Sequence, residues 1–253
     1  MGITNETYFE KDEFLSVSAY KKFKRCECYG MTDWGSPSTA MMVGSYVDSY
    51  IEGTLEQFKA EHPEIISTRG ASKGELKADF VKAIEICKYI DANKTFSQFM
   101  SGDKQTILTG IIGGVPFKIK MDSYCKGIAI NDLKVMRSVT DSRGEFYDFI
   151  TPWGYDIQLA CYQEIVRQNS GIQEPCYICA VTKETPINSV IINIPQFMLD
   201  KALYEVTESI KRYYDIKMLN ESPQGCGICP TCIANRTDTQ IISLQDILEG
   251  GSY

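Results

Sequence analysis

Apolar residues recur at helical spacing in five segments of the chain, and we predict each segment as an α-helix. The segments cover residues 15–27, 39–62, 73–93, 155–170 and 195–219. Ser16 or Ser18 is a suitable N-cap for the first helix, and Pro195 stands at the start of the last, where proline is tolerated. Gly171 follows the fourth segment and predicts its end.

Strand-like patterns lie between these helices. They cover residues 105–114, 115–122, 128–135, 176–183 and 189–194, with turn-forming residues such as Gly113-Gly114 and Cys125-Lys126-Gly127 between the first three. This order predicts an α/β fold with a central mixed β-sheet flanked by helices. We expect one domain over residues 1–253, with a helical part at 14–100, a sheet core at 105–195, and a C-terminal helix with a cysteine cluster at 196–236.

The composition excludes several classes of protein. A net charge of −7 argues against a protein that coats nucleic acid indiscriminately. The apolar runs are far shorter than the roughly 20 residues that span a bilayer, so we expect a cytoplasmic protein with no membrane partner. With His62 as the one histidine, a multi-histidine zinc hydrolase is impossible, and catalysis must rest on carboxylates, lysines, cysteines or a metal.

Two acids and a lysine meet on the central hairpin. Strand alternation places Asp122 at the end of one strand and puts Asp132 and Lys134 on one face of the next. A turn centred near Lys126 predicts that the two acids lie diagonally across the hairpin, about 7–8 Å apart at the backbone. They could share a divalent cation, and hard oxygen ligands favour Mg²⁺ or Mn²⁺. Lys134 could then orient a water or stabilise charge on phosphorus.

The alternative reading of this hairpin is a hydrated sheet edge, because D-x-K is a short and common pattern. Two further pairs at i, i+4 spacing favour a site. Asp48 and Glu52 share one helix face, and Gln158 and Tyr162 share another just after the hairpin. Taken singly, either pair could be the polar side of an amphipathic helix.

Taken in order, the segments GSYVD, MD, NDLK and QLACY resemble the successive motifs of the PD-(D/E)xK nuclease superfamily, in its RecB-like branch of phage and bacterial exonucleases. The resemblance covers nearly the whole chain and implies a restriction-endonuclease-like core. It implies that Asp122 and Asp132 are metal ligands, that the backbone carbonyl of Leu133 is a further metal contact, and that Lys134 is the catalytic lysine.

The same resemblance gives roles to the flanking helices. Gln158 and Tyr162 would support the active site or contact DNA. Asp48 stands where many members carry histidine, and an aspartate there would still suit Mg²⁺, with Glu52 as a substitute one turn on.

The C-terminal half looks most like exonuclease VIII-type proteins of phages. This likeness implies digestion of linear double-stranded DNA from an end, in phage-type recombination or repair. It also implies a single-strand annealing protein as partner and a homo-oligomeric ring around DNA.

A cysteine cluster near the C-terminus is a strong metal signal. Cys226, Cys229 and Cys232 form C-x-x-C-x-x-C in a loop bent by glycine and proline, and a fourth ligand is missing. Cys176 and Cys179 also form a C-x-x-C, but three residues apart on a strand they point to opposite faces and are poor joint ligands.

Cys26, or Cys28 in its place, is the available fourth ligand. The N-terminal segment resembles that of iron–sulfur nucleases such as the CRISPR-associated adaptation nucleases and the AddB-type repair nucleases. In these proteins one N-terminal cysteine joins three near the C-terminus and pins the two ends together. The resemblance favours a [4Fe–4S] cluster with a structural role, with Zn²⁺ as the alternative.

Two other functions are open to this sequence. A catalytically inactive DNA-binding or scaffold protein could keep the cysteine-bound metal, and Asp48 in place of histidine permits it. An electron-transfer protein is disfavoured because no glycine-rich nucleotide motif accompanies the cysteines.

Overall fold

Six strands form one mixed sheet in the computed structural model, which describes residues 3–4, 7–8, 13–32, 35, 37–239, 241 and 243–248. The strands are β1 Leu15–Ser16, β2 Asp103–Ile112, β3 Val115–Cys125, β4 Ala129–Met136, β5 Cys176–Thr182 and β6 Ser189–Asn193. The order β1-β3-β4-β5-β6, with β2 paired to β3, confirms the predicted mixed sheet.

Helices cover both faces of this sheet. They are α1 Val17–Arg25, α2 Glu27–Gly30, α3 Thr39–Glu52, α4 Leu55–Glu61, α5 Ala78–Ala92, α6 Lys94–Phe99, α7 Ile150–Trp153, α8 Tyr155–Ser170, α9 Gln196–Lys217, α10 Pro230–Ala234 and α11 Leu244–Leu248, with a 3₁₀ turn at Pro63–Ile65. One buried cluster joins the sheet to α1, α8 and α9, and the other joins it to α3 and α5. Ile178 and Cys179, neighbours on β5, fall in different clusters, so the clusters lie on opposite faces.

One predicted helix is divided in the structure, and another begins later than predicted. The segment 39–62 breaks after Glu52, because Gly53 adopts a left-handed φ of 80° and ends α3. The segment 73–93 begins only at Ala78, and the Asn93 side chain then accepts from the Phe96 N–H at 3.0 Å to cap α6. The helices predicted over 155–170 and 195–219 are confirmed. The first is shorter than predicted, because Leu15–Ser16 pair as β1, Ser16 caps α1 and the helix ends at Arg25.

The β3–β4 hairpin differs from the predicted register. The turn is centred on Gly127, since Ser123 pairs with Asn131 and Cys125 with Ala129. Continued by one residue, this register places Asp122 directly opposite Asp132 and not diagonal to it. The earlier placement was wrong because Gly127, at φ 76°, takes the left-handed position of the turn.

The sheet opens into a fork beside Asp122. β2 pairs with β3 along the whole of β2 and occupies one edge of β3. β1 and β4 therefore share the opposite edge of β3. β1 pairs at Phe117 and Lys118, and the ladder to β4 ends at Ser123. Between these two pairings, no strand of the described chain pairs with this edge of β3, and Asp122 lies there.

Strand alternation also breaks at this point. Met121 and Tyr124 are three residues apart yet pack into the same cluster. Gln105, opposite Asp122 by the β2–β3 register, has a φ of 48°, a left-handed conformation that is rare for a residue with a side chain. The local distortion of both strands therefore coincides with the predicted site.

Among the described residues, no helix is both long and apolar enough to cross a membrane.

Candidate active site and cysteine cluster

The Asp122 carboxylate lies in the fork of the sheet. Its Oδ2 accepts the backbone N–H of Leu133 at 2.9 Å, the first N–H beyond Asp132 on β4. The N–H and C=O of one strand residue point to the same edge, so the Leu133 carbonyl also faces the fork. The structure thus brings together Asp122, Asp132 and the backbone of Leu133.

Asp132 is almost wholly buried and has a defined set of partners. Its carboxylate forms an ion pair with the Lys134 ammonium, two residues on and on the same face of β4. Gln158 Nε2 donates to Asp132 Oδ1 at 2.7 Å and to Tyr162 Oη at 3.0 Å. Both predicted α8 residues therefore lie at the acid–lysine pair, with Gln158 holding Asp132 in place.

Asp48 reaches the same site from α3. Its Oδ2 accepts from Gln105 Nε2 at 3.0 Å, so the distorted residue of β2 holds the helix carboxylate. Glu52, one turn further on, interacts with Asp48 electrostatically while its own carboxylate accepts from the Thr54 hydroxyl at 3.2 Å. Asp48 is thus the acid of this helix that is anchored at the site.

Burial and mutual repulsion make the acids reluctant to ionise. Burial, and then the charges of Glu52 and Asp132, raise the pKa of Asp48 to about 7. Burial, and then Asp132 and Asp48, raise the pKa of Asp122 well above its ordinary value. Burial lowers the pKa of Lys134, but the neighbouring carboxylates outweigh it and leave that pKa raised, so the lysine is charged at neutral pH.

These groups fit a divalent cation by their chemistry. The donor set consists of carboxylate oxygens and one carbonyl, which are the ligands that Mg²⁺ and Mn²⁺ prefer. The Lys134 ammonium pairs with Asp132, and a dication would relieve the repulsion that raises the pKa of Asp48 and Asp122. Separate donors hold the three carboxylates: Gln105 binds Asp48, the Leu133 N–H binds Asp122 and Gln158 binds Asp132.

Several residues at the site were not singled out from the sequence. Gln105 lies in an ordinary strand-like pattern of apolar and polar residues, and nothing in the sequence indicates its left-handed backbone conformation. Lys21 and Tyr155 also lie there: the Lys134 Nζ stands 4.9 Å from the centroid of the Tyr155 ring, and the Lys21 Nζ 5.4 Å from it. Burial, and then Lys134, lower the pKa of Lys21 to about 8.

The predicted cysteine cluster forms across the two ends of the chain. The Sγ atoms of Cys26, Cys226, Cys229 and Cys232 all lie within 4.8 Å of one another, and Cys26 and Cys232 are 3.7 Å apart. Cys28 lies nearby but outside this group. Gly225 permits the close approach, since a Cβ there would meet Cys232 Sγ at 3.0 Å and Cys28 Sγ at 3.5 Å.

The surroundings of the four thiols shift their pKa values in different directions. Burial opposes ionisation of Cys26, but hydrogen bonds from the Tyr29 and Cys226 backbone outweigh it and bring the pKa of Cys26 to about 6. Burial raises the pKa of Cys229 to about 11, with neighbouring thiols adding to the rise. Hydrogen bonds from the Ile228 and Cys229 backbone also lower the pKa of Cys226, so two of the four thiols ionise readily and a cation would favour ionisation of the other two.

Protein contacts support the same junction. Arg212 of α9 forms two hydrogen bonds with the Glu27 carboxylate, at 2.6 and 2.8 Å. Glu27 also accepts from the Gln224 N–H at 2.7 Å, just before the cluster. Cys176 and Cys179, by contrast, lie in clusters on opposite faces of the sheet, as alternation predicts.

Comparisons with known proteins agree with this geometry. Residues 16–235 match a family model described as a PDDEXK-like domain of unknown function, DUF3799. A crystal structure from Eubacterium rectale, entitled a "Putative exonuclease", is 43% identical, with a TM-score of 0.87 and 99% of each chain covered. No curated protein matches the sequence. The chain belongs to the PDDEXK-like family DUF3799, within the PD-(D/E)xK nuclease superfamily.

Proposed function

We propose that the protein is a metal-dependent DNA exonuclease that hydrolyses phosphodiester bonds from the ends of linear double-stranded DNA. The observation that carries this proposal is the fork, where Asp122 and the Asp132–Lys134 pair meet at a gap in the sheet. The alternative reading, a hydrated sheet edge, does not suit Asp132, which is only 1% exposed.

Asp122, Asp132, Asp48 and the Leu133 carbonyl would hold Mg²⁺ or Mn²⁺. When bound, the cation would polarise a phosphoryl oxygen and favour ionisation of a nucleophilic water. The Lys134 ammonium, fixed by Asp132 and packed on the Tyr155 ring, is placed to donate to that water or to a phosphate oxygen. Gln158 and Tyr162 position Asp132, a role supported by the 2.7 Å hydrogen bond from Gln158.

A cavity beside Asp122 supports a polyanionic substrate. It has a volume of about 220 Å³ and is lined by Lys21, Lys118 and Lys120 on the side that also holds Gln158. Lysines next to a carboxylate centre can contact the phosphates that flank the reacting one. Lys21 and Lys120 would supply local positive charge there although the net charge of the chain is −7.

The test compares a closed circular plasmid with the same plasmid made linear, each with Mg²⁺ or with a chelator. We expect Mg²⁺-dependent loss of the linear form while the circle stays intact. Cutting of circles at the same rate would identify an endonuclease. Binding of both forms without cleavage by metal-replete protein would identify the inactive DNA-binding scaffold.

We propose that the cysteine group holds one structural metal centre that joins the two ends of a single domain spanning residues 1–253. The family resemblance favours [4Fe–4S]. The sulfur spacing favours Zn²⁺, because tetrahedral Zn–S bonds of about 2.3 Å hold sulfurs about 3.8 Å apart, close to the 3.7 Å between Cys26 and Cys232. A cubane binds each thiolate through a different iron and needs a wider set. Iron, sulfide and zinc analysis after anaerobic purification discriminates the two.

The family likeness supports three further proposals. A single-strand annealing protein would take up the tail that end-digestion leaves, in phage-type recombination or repair. The protein would assemble as a homo-oligomeric ring around DNA, which light scattering of the purified protein tests. We expect it to act in the cytoplasm.

A further inference from the structure

A larger cleft opens on the other side of Asp122. It encloses about 590 Å³ and is lined by Met41 and Asp48 of α3, by Leu133 and Lys134 of β4, and by Trp153 and Tyr155 at the α7–α8 junction. The acids and the lysine of the proposed active site therefore form part of its wall. A volume in the range of roughly 300–1,000 Å³ suits a ligand of small-molecule size and not a DNA duplex.

Trp153 presents an unusually exposed indole to this cleft. The side chain is 64% exposed, although tryptophan is among the residues that gain most from burial. Its backbone, in contrast, is fixed. The Lys21 ammonium donates to the Trp153 carbonyl at 2.9 Å, and Gly154, at φ 64°, ends α7 immediately afterwards. A large flat ring on an anchored backbone is a preorganised stacking surface.

The rest of the cleft suits a nucleotide. Met41, on the opposing α3 wall, is 63% exposed, and Gly44 leaves open space where a side chain would otherwise stand. Arg137 and Lys183 supply positive charge beside this apolar surface. Apolar and aromatic groups next to cations match a polymer that carries a flat base and an anionic phosphate in each unit.

We propose that this cleft binds the end of one DNA strand, with a terminal base stacked on the Trp153 indole. The inference rests on the proposed nuclease function and adds to it that the duplex end must open before a strand reaches the fork. The binding energy would come from stacking, which tolerates any base, so the site would show little sequence preference.

The first experiment measures the fluorescence of Trp153 alone. The chain has two tryptophans, and Trp34 lies outside the described residues, so Trp34→Phe leaves Trp153 as the one emitter. A single-stranded oligodeoxynucleotide is titrated with Ca²⁺ in place of Mg²⁺, and again in the Asp132→Asn background. We expect saturable quenching of the emission. Unchanged emission at DNA concentrations that saturate binding, measured independently by anisotropy, would overturn the proposal.

The second experiment measures affinity for the same oligonucleotide. Stacking of about 1–3 kcal/mol per base predicts that Trp153→Ala weakens binding by about 5- to 150-fold, while Trp153→Phe keeps most of it. Phe197→Ala is the matched control, because Phe197 is 72% exposed on α9 and does not line the cleft. Equal affinity of Trp153→Ala and Phe197→Ala would contradict the proposal. Thermal unfolding of each variant checks that its fold is intact.

Failure of this inference and failure of the nuclease proposal give different results. Quenching and an affinity that depends on Trp153, without cleavage under Mg²⁺, would support the strand-end site and contradict the nuclease proposal. Efficient cleavage without quenching would support the nuclease proposal and contradict the strand-end site. A blunt duplex that binds the protein with Trp153 intact as tightly as the single strand does would contradict the need for an opened end.

Discussion

At the scale of single residues, Gln105 is the part of the site that links the fold to its chemistry. Its left-handed backbone costs about 1–2 kcal/mol relative to an ordinary strand conformation. The same conformation directs the side chain to Asp48, where it donates at 3.0 Å. Strain of this kind is commonly retained where it positions a functional group.

We predict that Gln105→Gly separates stability from metal binding. Glycine adopts a positive φ freely, and this gain offsets the lost hydrogen bond to Asp48, so the free energy of unfolding should change by no more than about 1 kcal/mol. Loss of a hydrogen bond to a charged group of about 1.5–3 kcal/mol predicts Mn²⁺ affinity at least about 10-fold weaker. Urea unfolding and Mn²⁺ calorimetry measure the two quantities. Wild-type Mn²⁺ affinity in the variant would show that Gln105 does not position Asp48 for the metal.

The raised pKa of Asp48, about 7, predicts how the stability of the metal-free protein depends on pH. Between an unfolded pKa of about 3.9 and this value, the folded state binds more protons than the unfolded state. The contribution of Asp48 to the free energy of unfolding is therefore greatest below about pH 4 and is lost as the pH rises through 7. We expect a loss of at least about 1 kcal/mol in chelator between pH 5 and 8, measured by urea unfolding.

Asp48→Asn is the matched control, because it cannot ionise. The variant should lose part of this pH dependence and be the more stable of the two metal-free proteins at pH 8. Identical slopes for wild type and Asp48→Asn would mean that Asp48 ionises normally in the folded protein.

At the scale of elements, the C-terminus of α9 carries a side chain where glycine is usual. Leu219 has a φ of 61°, and its N–H bonds the Ile216 carbonyl at 3.0 Å while Asn220 N–H bonds the Asp215 carbonyl at 2.8 Å. These two hydrogen bonds form a Schellman motif with leucine at the left-handed position. Because Leu219 is 79% exposed, its side chain gains little from packing.

We predict that Leu219→Gly raises the free energy of unfolding by about 0.5–1 kcal/mol and leaves nuclease activity unchanged. Differential scanning calorimetry together with the plasmid assay tests this. This variant is also a control for Gln105→Gly. Both substitutions place glycine at a positive φ, but only Gln105 contacts the candidate active site. A lower melting temperature for Leu219→Gly would mean that the leucine contributes packing that its exposure conceals.

The strands and helices were largely predictable from the sequence, since α8, α9, β5 and β6 have strong patterns and clear ends. The division of residues 39–62 was missed because apolar spacing continues past Gly53 and only the glycine marks the break. The register error at Asp122 had a similar origin. A turn shifted by one residue keeps every side chain on a plausible face until pairing across the hairpin is known.

The residues of the site were predictable as far as they belong to the ordered motifs and no further. Asp122, Asp132, Lys134, Gln158 and Tyr162 meet as the motif order implied. The fork, the left-handed Gln105 and the approach of Lys21 arise from long-range pairing of β1, β2 and α1, which no local pattern encodes.

At the scale of the whole molecule, the cysteine group links a segment at residue 26 with one beginning at residue 226. A metal there closes almost the entire chain into one loop, which restricts the unfolded state strongly. We predict that metal loss, by chelation or by Cys26→Ser, lowers the melting temperature by at least about 5 °C, roughly 2 kcal/mol for a chain of this size.

Cys28→Ser is the control for this prediction, because Cys28 is adjacent to the group but outside it. This variant should keep the wild-type metal content and melting temperature. Loss of metal in Cys28→Ser with retention in Cys26→Ser would instead make Cys28 the fourth ligand.

The central claim is that the fork is a metal-dependent catalytic centre for DNA hydrolysis. The most direct measurement is the initial rate of nucleotide release from linear duplex DNA under Mg²⁺, for wild type, Asp132→Asn and the exposed control Asp200→Asn. We predict a rate at least about 100-fold lower for Asp132→Asn, none above background in chelator, and a wild-type rate for Asp200→Asn. An Asp132→Asn protein that releases nucleotides as fast as wild type would contradict the account.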